Sequence, residues 1–410
     1  MNINRVNLHP ASCKYLKLGH PWITEDSYSI RFPKNAFFMV GVDDRNRQEV
    51  ALLINDPEHK NVKARVWSLN PEDWNKPIDF KNDLKKRIKD ALEKRKSANY
   101  STERENFYLI NGESDFLPGL LVLKLKDQIL IQYYALFWKK EENELITVLQ
   151  DQIKNIFPES AINDFWIQER NFNQSKSMRS IKGNKASDFV LNEYGINYQI
   201  RLNEHYDLGI YTDMSALRSQ MRPYIQNATS LLNLFSYTGA FSLFALKLGA
   251  LNVVSVDLSS KYLAWLDENI LLNPLLNKNH HTHLCMPTDK ALLKLISENK
   301  KFEVVICDPP SASSDGQVTS NALKSYEKLL PLMLKLLDKK GMMFVFLNTH
   351  TISWNKFEEK LQQIVSISDF AKQINIGKRF KLSDDCLPLK GFHEGDYLKG
   401  ILIDFKNKDN

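Results

Sequence analysis

The chain has 410 residues, of which 43% are hydrophobic, 11% aromatic and 25% charged, so it can bury more than one core and is not a single small binding module. Its longest uninterrupted apolar run, residues 342–347, is far shorter than the roughly 18 residues of a membrane-spanning helix. The net charge of +6 is compatible with a polyanionic partner but does not establish one. The first residues lack the apolar core of a signal peptide, and four scattered cysteines do not form a disulfide framework. We therefore expect a multidomain protein of the cytoplasm, without a membrane partner.

The first 187 residues contain two different patterns. Residues 1–72 alternate short β-type runs with turns, which predicts a small all-β domain. Residues 73–187 mix helical and β-type segments, which predicts a compact α+β domain with helices at 80–95 and 143–156. The end of this region, residues 171–187, is rich in Asn, Ser and Lys and is predicted to be a linker or mobile loop.

Residues 188–410 alternate strand and helix, which predicts an α/β fold with a doubly wound, mostly parallel sheet. The predicted strands are residues 231–235, 253–256, 304–307 and 342–346, and the predicted helices are 241–248, 261–272, 290–295 and 322–337. Ligands of such sheets bind at the carboxyl ends of the strands.

Four marks fall in order at those strand ends. A tight turn ending at Gly239 follows the first strand, and Asp257 ends the second strand eighteen residues later, where nucleotide sites place an acid for ribose hydroxyls. Asp289 begins the third crossover, either as a helix cap or as an adenine contact. Asp308 is followed by Pro309 and Pro310, which fix a rigid turn. Neither a phosphate-binding Gly-Lys loop nor a full dinucleotide motif is present, so the set favours an S-adenosylmethionine (SAM) site.

At this point the sequence resembles the large-subunit ribosomal RNA methyltransferase I family, over nearly the whole chain. The motifs that carry the resemblance are Leu-Gly-His-Pro-Trp at 18–22, Ala-Arg-Val-Trp at 64–67, Asn-Gly-Glu-Ser-Asp-Phe-Leu-Pro-Gly at 111–119, residues 233–241, Val-Ser-Val-Asp-Leu-Ser at 254–259, Asp-Pro-Pro at 308–310 and Glu-Gly-Asp-Tyr-Leu-Lys-Gly at 394–400. The resemblance implies an RNA-binding PUA-like β-barrel at 1–72, a central α+β domain at 73–187 and a Rossmann-like class I methyltransferase domain at 188–410.

The resemblance also implies SAM as cofactor and 23S ribosomal RNA, free or in early assembly, as substrate, with cytosine carbon 5 as the methylated atom. A homodimer is left open. The implied cofactor contacts are Tyr211, Arg218, Asn233, Phe235, Ser236, Tyr237, Thr238, Gly239, Asp257, Leu258, Asp289, Lys290 and Asp308. The implied RNA contacts are Lys14, Lys17, His20, Lys63 and Arg65.

The chain departs from the family at the proposed reaction centre. Carbon-5 methylation needs a nucleophile at carbon 6, normally a thiolate, but Asn348 stands where the family has its cysteine. Cys307 precedes Asp308, and strand alternation turns its side chain into the core. The predicted catalytic residues are Asp308, Pro309, Pro310 and Asn348.

Three chemistries are compatible with these residues: methylation of a base nitrogen, rescue by a cysteine from elsewhere, or loss of catalysis in a protein that still binds RNA. A methyltransferase for a protein or a small molecule is a further alternative. His281, His283 and Cys285 alternate along one strand, but no fourth ligand has metal-site spacing, so we predict no metal site.

Overall fold

A computed structural model describes residues 3–170, 178–203, 207–310 and 321–405. The chain forms two compact units. The first contains residues 1–188, 201–208 and 384–395, and the second contains 189–200, 209–383 and 396–410. Among the described residues, no helix is long and apolar enough to cross a membrane.

The first unit begins with a five-stranded sheet and one helix. The strands are β1 (Asn4–Leu8), β2 (Trp22–Thr24), β3 (Phe38–Asp43), β4 (Glu49–Asn55) and β5 (Val62–Ser68), in the order β1-β3-β4-β5-β2, and helix α1 spans Pro10–Lys17. Side chains alternate between its two faces because successive residues of a strand point to opposite sides. Met39 and Leu53 pack with α1 in one core, whereas Val40 and Leu52 join a second, larger core.

The larger core is shared with a second five-stranded sheet of the same unit. Its strands are β6 (Asn106–Asn111), β7 (Leu120–Leu125), β8 (Gln128–Tyr133), β9 (Asp164–Glu169) and β10 (Met178–Ser180), in the order β10-β9-β8-β7-β6. Its helices are α2 (Phe80–Ala98), α3 (Phe137–Lys140) and α4 (Glu142–Ile156). Leu84, Ile88 and Leu92 form the buried stripe of α2, and Lys85, Lys86 and Lys89 between them are exposed, whereas Arg87 is half-buried over the Trp67 ring. The boundary predicted at residue 72 stays a prediction, because one core joins the first five-stranded sheet and the central region.

Two segments differ from the sequence-based domain division. The predicted linker 171–187 is partly regular, because residues 178–180 form β10 and residue 187 begins β11 (Ser187–Glu193); residues 171–177 lie outside the described part. Strand β12 (Ile196–Leu202) pairs with β11. Residues 384–395, predicted within the last domain, belong to the first unit.

The physical reason for this return is a set of buried charges. Asp385 accepts a hydrogen bond from the Arg104 guanidinium at 2.9 Å and another from the Tyr108 backbone N–H at 2.9 Å. Arg95 donates to the Asp385 carbonyl oxygen at 2.9 Å and pairs with Asp115. A buried guanidinium is costly without such partners, so the late segment completes the first unit.

The second unit is built on a seven-stranded sheet. Its strands are β13 (Ser230–Leu234), β14 (Asn252–Asp257), β15 (His281–Cys285), β16 (Phe302–Cys307), β17 (Leu337–Asn348), β18 (Ile374–Phe380) and β19 (Leu398–Phe405), in the order β15-β14-β13-β16-β17-β19-β18. The helices are α5 (Ser215–Ile225), α6 (Ala240–Lys247), α7 (Ser260–Leu271), α8 (Thr288–Ser297), α9 (Asn321–Leu336) and α10 (Trp354–Ser366). Strands β13 to β17 run parallel and β19 pairs antiparallel with β17. The predicted Rossmann-like α/β fold is confirmed.

Candidate functional site at the carboxyl edge of the seven-stranded sheet

The turn after β13 has an unusual backbone. Phe235, Tyr237 and Gly239 all have positive φ angles, of 59°, 50° and 86°. Only glycine fits the last position, because a Cβ there would lie 2.4 Å from Cγ of Leu266 on α7. The chain is therefore folded tightly over the end of the sheet before α6 begins.

Hydrogen bonds hold this turn from two sides. The Thr238 hydroxyl donates to the Gly209 carbonyl oxygen at 2.6 Å, and the Gly209 N–H donates to the Tyr237 hydroxyl at 3.1 Å. Asn269 of α7 donates to the Thr238 carbonyl oxygen at 3.0 Å. Thr238 thus acts through its bonds to the backbone, and the turn is rigid before any ligand binds.

The second strand end lies beside this turn. Asp257 accepts hydrogen bonds from the backbone N–H groups of Tyr237 and Ser259, each at 2.9 Å. A carboxylate has about four acceptor positions, so lone pairs remain for other donors. The next residue, Leu258, exposes 68% of its surface at the same edge.

The third position is the first turn of α8. The Asp289 carboxylate pairs with the Lys328 ammonium at 2.7 Å, and this hydrogen bond is the main reason why the Asp289 pKa is lowered. Lys290 is exposed, and its backbone N–H donates to the Pro287 carbonyl oxygen at 3.0 Å. Asp289 is therefore a fixed, charged hydrogen-bond acceptor.

Asp308 follows β16 at the centre of the edge. It is half-buried, and burial together with the charge of Asp213 raises its pKa to about 7. Asp213 in turn accepts a hydrogen bond from the Tyr397 hydroxyl at 2.6 Å. Pro309 is buried and Pro310 is exposed, so the turn that carries the carboxyl group is anchored on one side.

Asn348 lies at the end of the neighbouring strand. β16 and β17 run parallel with Cys307 opposite Val345, which places Asn348 and Asp308 at the same edge of the sheet. Asn348 is exposed, and Thr349 donates its N–H to the Tyr397 carbonyl oxygen at 2.8 Å. Asn348, at the end of β17, and Tyr397, directly before β19, therefore both lie near Asp308.

Two residues of this edge are absent from the sequence-based set. Tyr397 holds Asp213, and the buried ammonium of Lys399 donates to the carbonyl oxygens of Thr349 and Asp396 at 2.9 and 2.7 Å. Burial lowers the Lys399 pKa. Both lie in the motif at 394–400 that carries the family resemblance, which was the available signal.

Two predicted cofactor contacts are buried, and their contact with the cofactor stays a prediction. Arg218 is buried and binds Glu193 through two hydrogen bonds of 2.7 and 2.9 Å, and it donates to the Tyr211 carbonyl oxygen at 3.3 Å. Asn233 is buried and donates to the Ser242 hydroxyl at 2.9 Å. Neither side chain reaches the edge directly; Arg218 instead positions Tyr211, whose ring is 53% exposed and lies 5.1 Å from that of Tyr237.

The predicted RNA contacts of the first unit divide into two groups. Lys14 and Lys17 are exposed on α1. His20 is largely buried and bonded to Glu394 at 3.0 Å, and Lys63 pairs with Glu25 at 2.8 Å. Arg65 requires a correction, because its side chain is 1% exposed and pairs with Asp56 and Glu113, so it cannot touch RNA directly.

One cluster resembles a metal site more than the sequence suggested. Ligand atoms of Asp267, His281 and His283 lie within 4.8 Å of one another. His281 also shares a hydrogen bond of 2.8 Å with the Ser255 hydroxyl, and burial lowers its pKa to about 4. Asp267 lies on α7, so the spacing of residues along β15 could not reveal it as a possible third ligand. The absence of a metal stays a prediction.

The sheet order, the turn after β13 and the acids at successive strand ends define a Rossmann-like fold of the kind that binds nucleotides at its strand ends. The family model for S-adenosylmethionine-dependent methyltransferases matches residues 127–392, and the chain belongs to this family. It is an enzyme, and its cofactor is SAM.

Three similar proteins extend the comparison beyond the family model. Ribosomal RNA large subunit methyltransferase I of Pseudoalteromonas translucida is 24% identical over 97% of this chain and 98% of its own length. A solved structure assigned as a SAM-dependent methyltransferase from Streptococcus mutans has a TM-score of 0.82 at 21% identity, over 98% of this chain and all of that chain. A structure assigned as a methyltransferase and complexed with SAH has a TM-score of 0.83 at 20% identity, with the same coverage. These structural likenesses show the fold.

The described residues fit SAM. The Ser236 hydroxyl is buried in the turn and has no hydrogen-bond partner among the described residues, so an acceptor or donor from a ligand would complete it. Asp257 keeps acceptor positions for ribose hydroxyls, and Leu258 offers an apolar surface for a purine.

Proposed function

We propose that this enzyme methylates a base of large-subunit ribosomal RNA, the 23S RNA of a bacterial ribosome. The observation that carries the proposal is the likeness to a ribosomal RNA large subunit methyltransferase I over 97% of the chain, including the first unit as well as the methyltransferase unit. A shared first unit matters because a substrate other than RNA would not require the same accessory unit. Ribosomal RNA as substrate would place the reaction in the cytoplasm.

In this proposal the turn after β13 holds the methionine end of the cofactor, Asp257 the ribose and Asp289 the adenine. SAM supplies an electrophilic methyl group. Phe235, Ser236, Tyr237 and Gly239 fix its position, and the exposed ring of Tyr211 offers a face on which an unpaired base stacks. Asp308, whose pKa is about 7, accepts a hydrogen bond or a proton from the base.

The first unit contributes RNA affinity in this proposal. Lys14 and Lys17 are exposed on one helix and would contact phosphates, which position RNA without specifying bases. The substrate is free 23S RNA or an early assembly intermediate, because the target base must be turned out to reach Asp308 at the edge of the sheet.

Methyl transfer from isotopically labelled SAM tests the proposal. The RNA comes from cells that lack this gene, and protein-free 23S RNA, assembled large subunits and transfer RNA are compared. We expect label in protein-free 23S RNA, less in assembled subunits and none in transfer RNA. Absence of label from all ribosomal RNA, with SAM binding intact by calorimetry, would refute an RNA substrate.

A further inference from the structure

The positions of the four cysteines restrict the chemistry of the site. Carbon 5 of a pyrimidine becomes nucleophilic only after a thiolate adds to carbon 6, so an accessible thiol must lie beside the transferred methyl group. All four cysteines are within the described residues: Cys13, Cys285, Cys307 and Cys386.

Cys307 is nearest to the site along the chain, but it faces the core. It packs with Val345 and Leu347 of β17 in the core cluster beneath the sheet and is 0% exposed. Alternation along β16 and β17 puts Asp308 and Asn348 on the other side. Burial raises the Cys307 pKa far above that of a free thiol, and the Tyr326 hydroxyl bonds to its carbonyl oxygen at 3.0 Å. The Cys307 thiol therefore lies in the hydrophobic core, as the strand alternation predicted.

The remaining cysteines do not replace it. Cys285 is exposed at the end of β15, where its thiol points to the Leu258 carbonyl oxygen at 3.7 Å. β15 is three strands from β16, or about 14 Å at the usual strand spacing, on the adenine side of the edge. Cys13 and Cys386 are buried inside the first unit.

The side chains that do face the Asp308 edge are hydrogen-bonding groups. Asn348 is exposed at the end of β17 and offers an amide, while Asp308 offers a carboxyl group. Tyr397 keeps Asp213 beside it. An amide and a carboxyl group can bind the edge of a base by hydrogen bonds, but neither adds to carbon 6 as a thiolate does.

We propose that the atom methylated at this site is a nitrogen of an RNA base. This inference rests on the proposed function and names its target. A nitrogen carries its own lone pair, so the base needs orientation and, for an amino group, removal of one proton, but no covalent bond to the enzyme.

The step balances with the groups present. The nitrogen lone pair forms the new bond to the methyl carbon, and the carbon–sulfur bond breaks with its electron pair on sulfur, which becomes an uncharged thioether. An amino nitrogen then loses a proton to the Asp308 carboxylate. A ring nitrogen that has no hydrogen keeps the positive charge, and Asp308 offsets that charge.

Tritium at carbon 5 separates the two chemistries. Ribosomal RNA from cells lacking this gene is labelled with tritium at carbon 5 of its pyrimidines, methylated with non-radioactive SAM that carries a heavy stable-isotope methyl group, digested and analysed by mass spectrometry. We expect a heavy N-methyl nucleoside and no tritium in water. A heavy 5-methylpyrimidine with one tritium released per methyl group, or a ribose-methylated nucleoside, would overturn the inference but keep the RNA substrate. No heavy nucleoside would overturn both.

Two cysteine variants give a control that does not depend on Asn348. Cys285→Ser and Cys307→Ala remove the exposed thiol and the thiol adjacent to Asp308. We expect both to form the same N-methyl nucleoside within about twofold of the wild-type rate. A loss above about a hundredfold in either variant, with circular dichroism and SAM affinity unchanged, would mean that its thiol takes part and would contradict the inference.

Discussion

The buried guanidiniums of the first unit and the buried hydroxyl in the turn after β13 differ in their partners. In the first unit the buried guanidiniums meet carboxylates within the unit: Arg65 pairs with Asp56 and Glu113, and Arg104 with Asp385. In the second unit, the hydroxyls of Thr212, Ser215 and Ser236 are buried without a partner among the described residues, and Ser236 lies in the turn after β13. An unsatisfied buried polar group costs about 1–3 kcal/mol. Unpaired buried atoms also occur in the first unit, where Oδ1 of Asn55 is one, so a missing partner indicates a ligand only where it coincides with the strand-end edge, as at Ser236.

Asp308 gives the largest expected effect and the sharpest contrast. Asp308→Asn removes the proton acceptor, and we expect methyl transfer to fall by about 10²–10⁴-fold with SAM affinity nearly unchanged. Glu303→Gln at the other end of β16 is the matched control, because the Glu303 carboxylate accepts hydrogen bonds from Thr229 and lies away from Asp308. Single-turnover rates and calorimetry measure both. Equal losses in the two variants would show that Asp308 acts through folding.

Breaking a buried pair tests the first unit. Arg104→Ala leaves the Asp385 carboxylate buried without this guanidinium, and we expect the free energy of unfolding to fall by about 3–5 kcal/mol. Lys89→Ala breaks an exposed pair with Glu93 and should cost less than about 1 kcal/mol. Urea denaturation followed by tryptophan fluorescence measures both. If the two variants lost similar amounts of unfolding free energy, the buried pair would not stabilise the fold more than the exposed pair does.

Gly239→Ala tests whether the turn is shaped for the cofactor. Its new Cβ would meet Leu266 at 2.4 Å, so we expect a loss of about 1–3 kcal/mol in stability and about tenfold weaker SAM binding. Gly249 has a φ of 98° but open space around it, so Gly249→Ala isolates the backbone strain. SAM affinity should be unchanged in that control. If Gly239→Ala bound SAM as tightly as the wild type, the shape of this turn would not contribute to SAM binding.

The pH dependence follows from the raised pKa of Asp308. The carboxylate form accepts the proton, so the methyl transfer rate should fall about tenfold per pH unit below the pKa of about 7. Asp213→Asn removes the nearby charge and should move this midpoint to lower pH. The same raised pKa gives a stability contribution that is present below about pH 4 and is lost as pH rises through about 7. If the midpoint of the pH–rate profile were the same in Asp213→Asn and in the wild type, the assignment of this midpoint to Asp308 would be wrong.

The smallest effects belong to the exposed lysines. Lys14→Ala or Lys17→Ala should weaken RNA binding a few-fold and reduce the salt dependence of the affinity by about one ion each. Lys63→Ala is the comparison, because Lys63 is paired with Glu25 at 2.8 Å and should change the salt dependence less. Fluorescence anisotropy across a salt series measures this. Equal slopes for all three would remove the division between paired and exposed cations.

The cofactor edge was largely predictable because it follows chain order. Gly239, Asp257 and Asp308 each stand at the end of a strand, so local patterns and the rule for parallel sheets place them together. The sequence did not predict that Arg65 and Arg218 form buried ion pairs. Their partners Glu113 and Glu193 are distant in sequence, and residue type alone does not reveal a buried partner.

The Asp267 contact of the histidine cluster and the return of residues 384–395 were missed for the same reason. Asp267 joins His281 and His283 from a separate helix, and residues 384–395 join the first unit from near the other end of the chain. Spacing along one element reports neighbours within that element only. Contacts made by folding back of the chain carry no local signal.

Because residues 384–395 belong to the first unit, they determine when that unit can complete its folding during synthesis. Arg104 can meet Asp385 only after the 280 residues between them have been joined, so the first unit cannot finish folding until most of the second has been translated. Contacts of such long sequence separation slow folding, because the intervening chain must be ordered first. Domains usually mature from the amino terminus during synthesis, but here both units must mature together at the end.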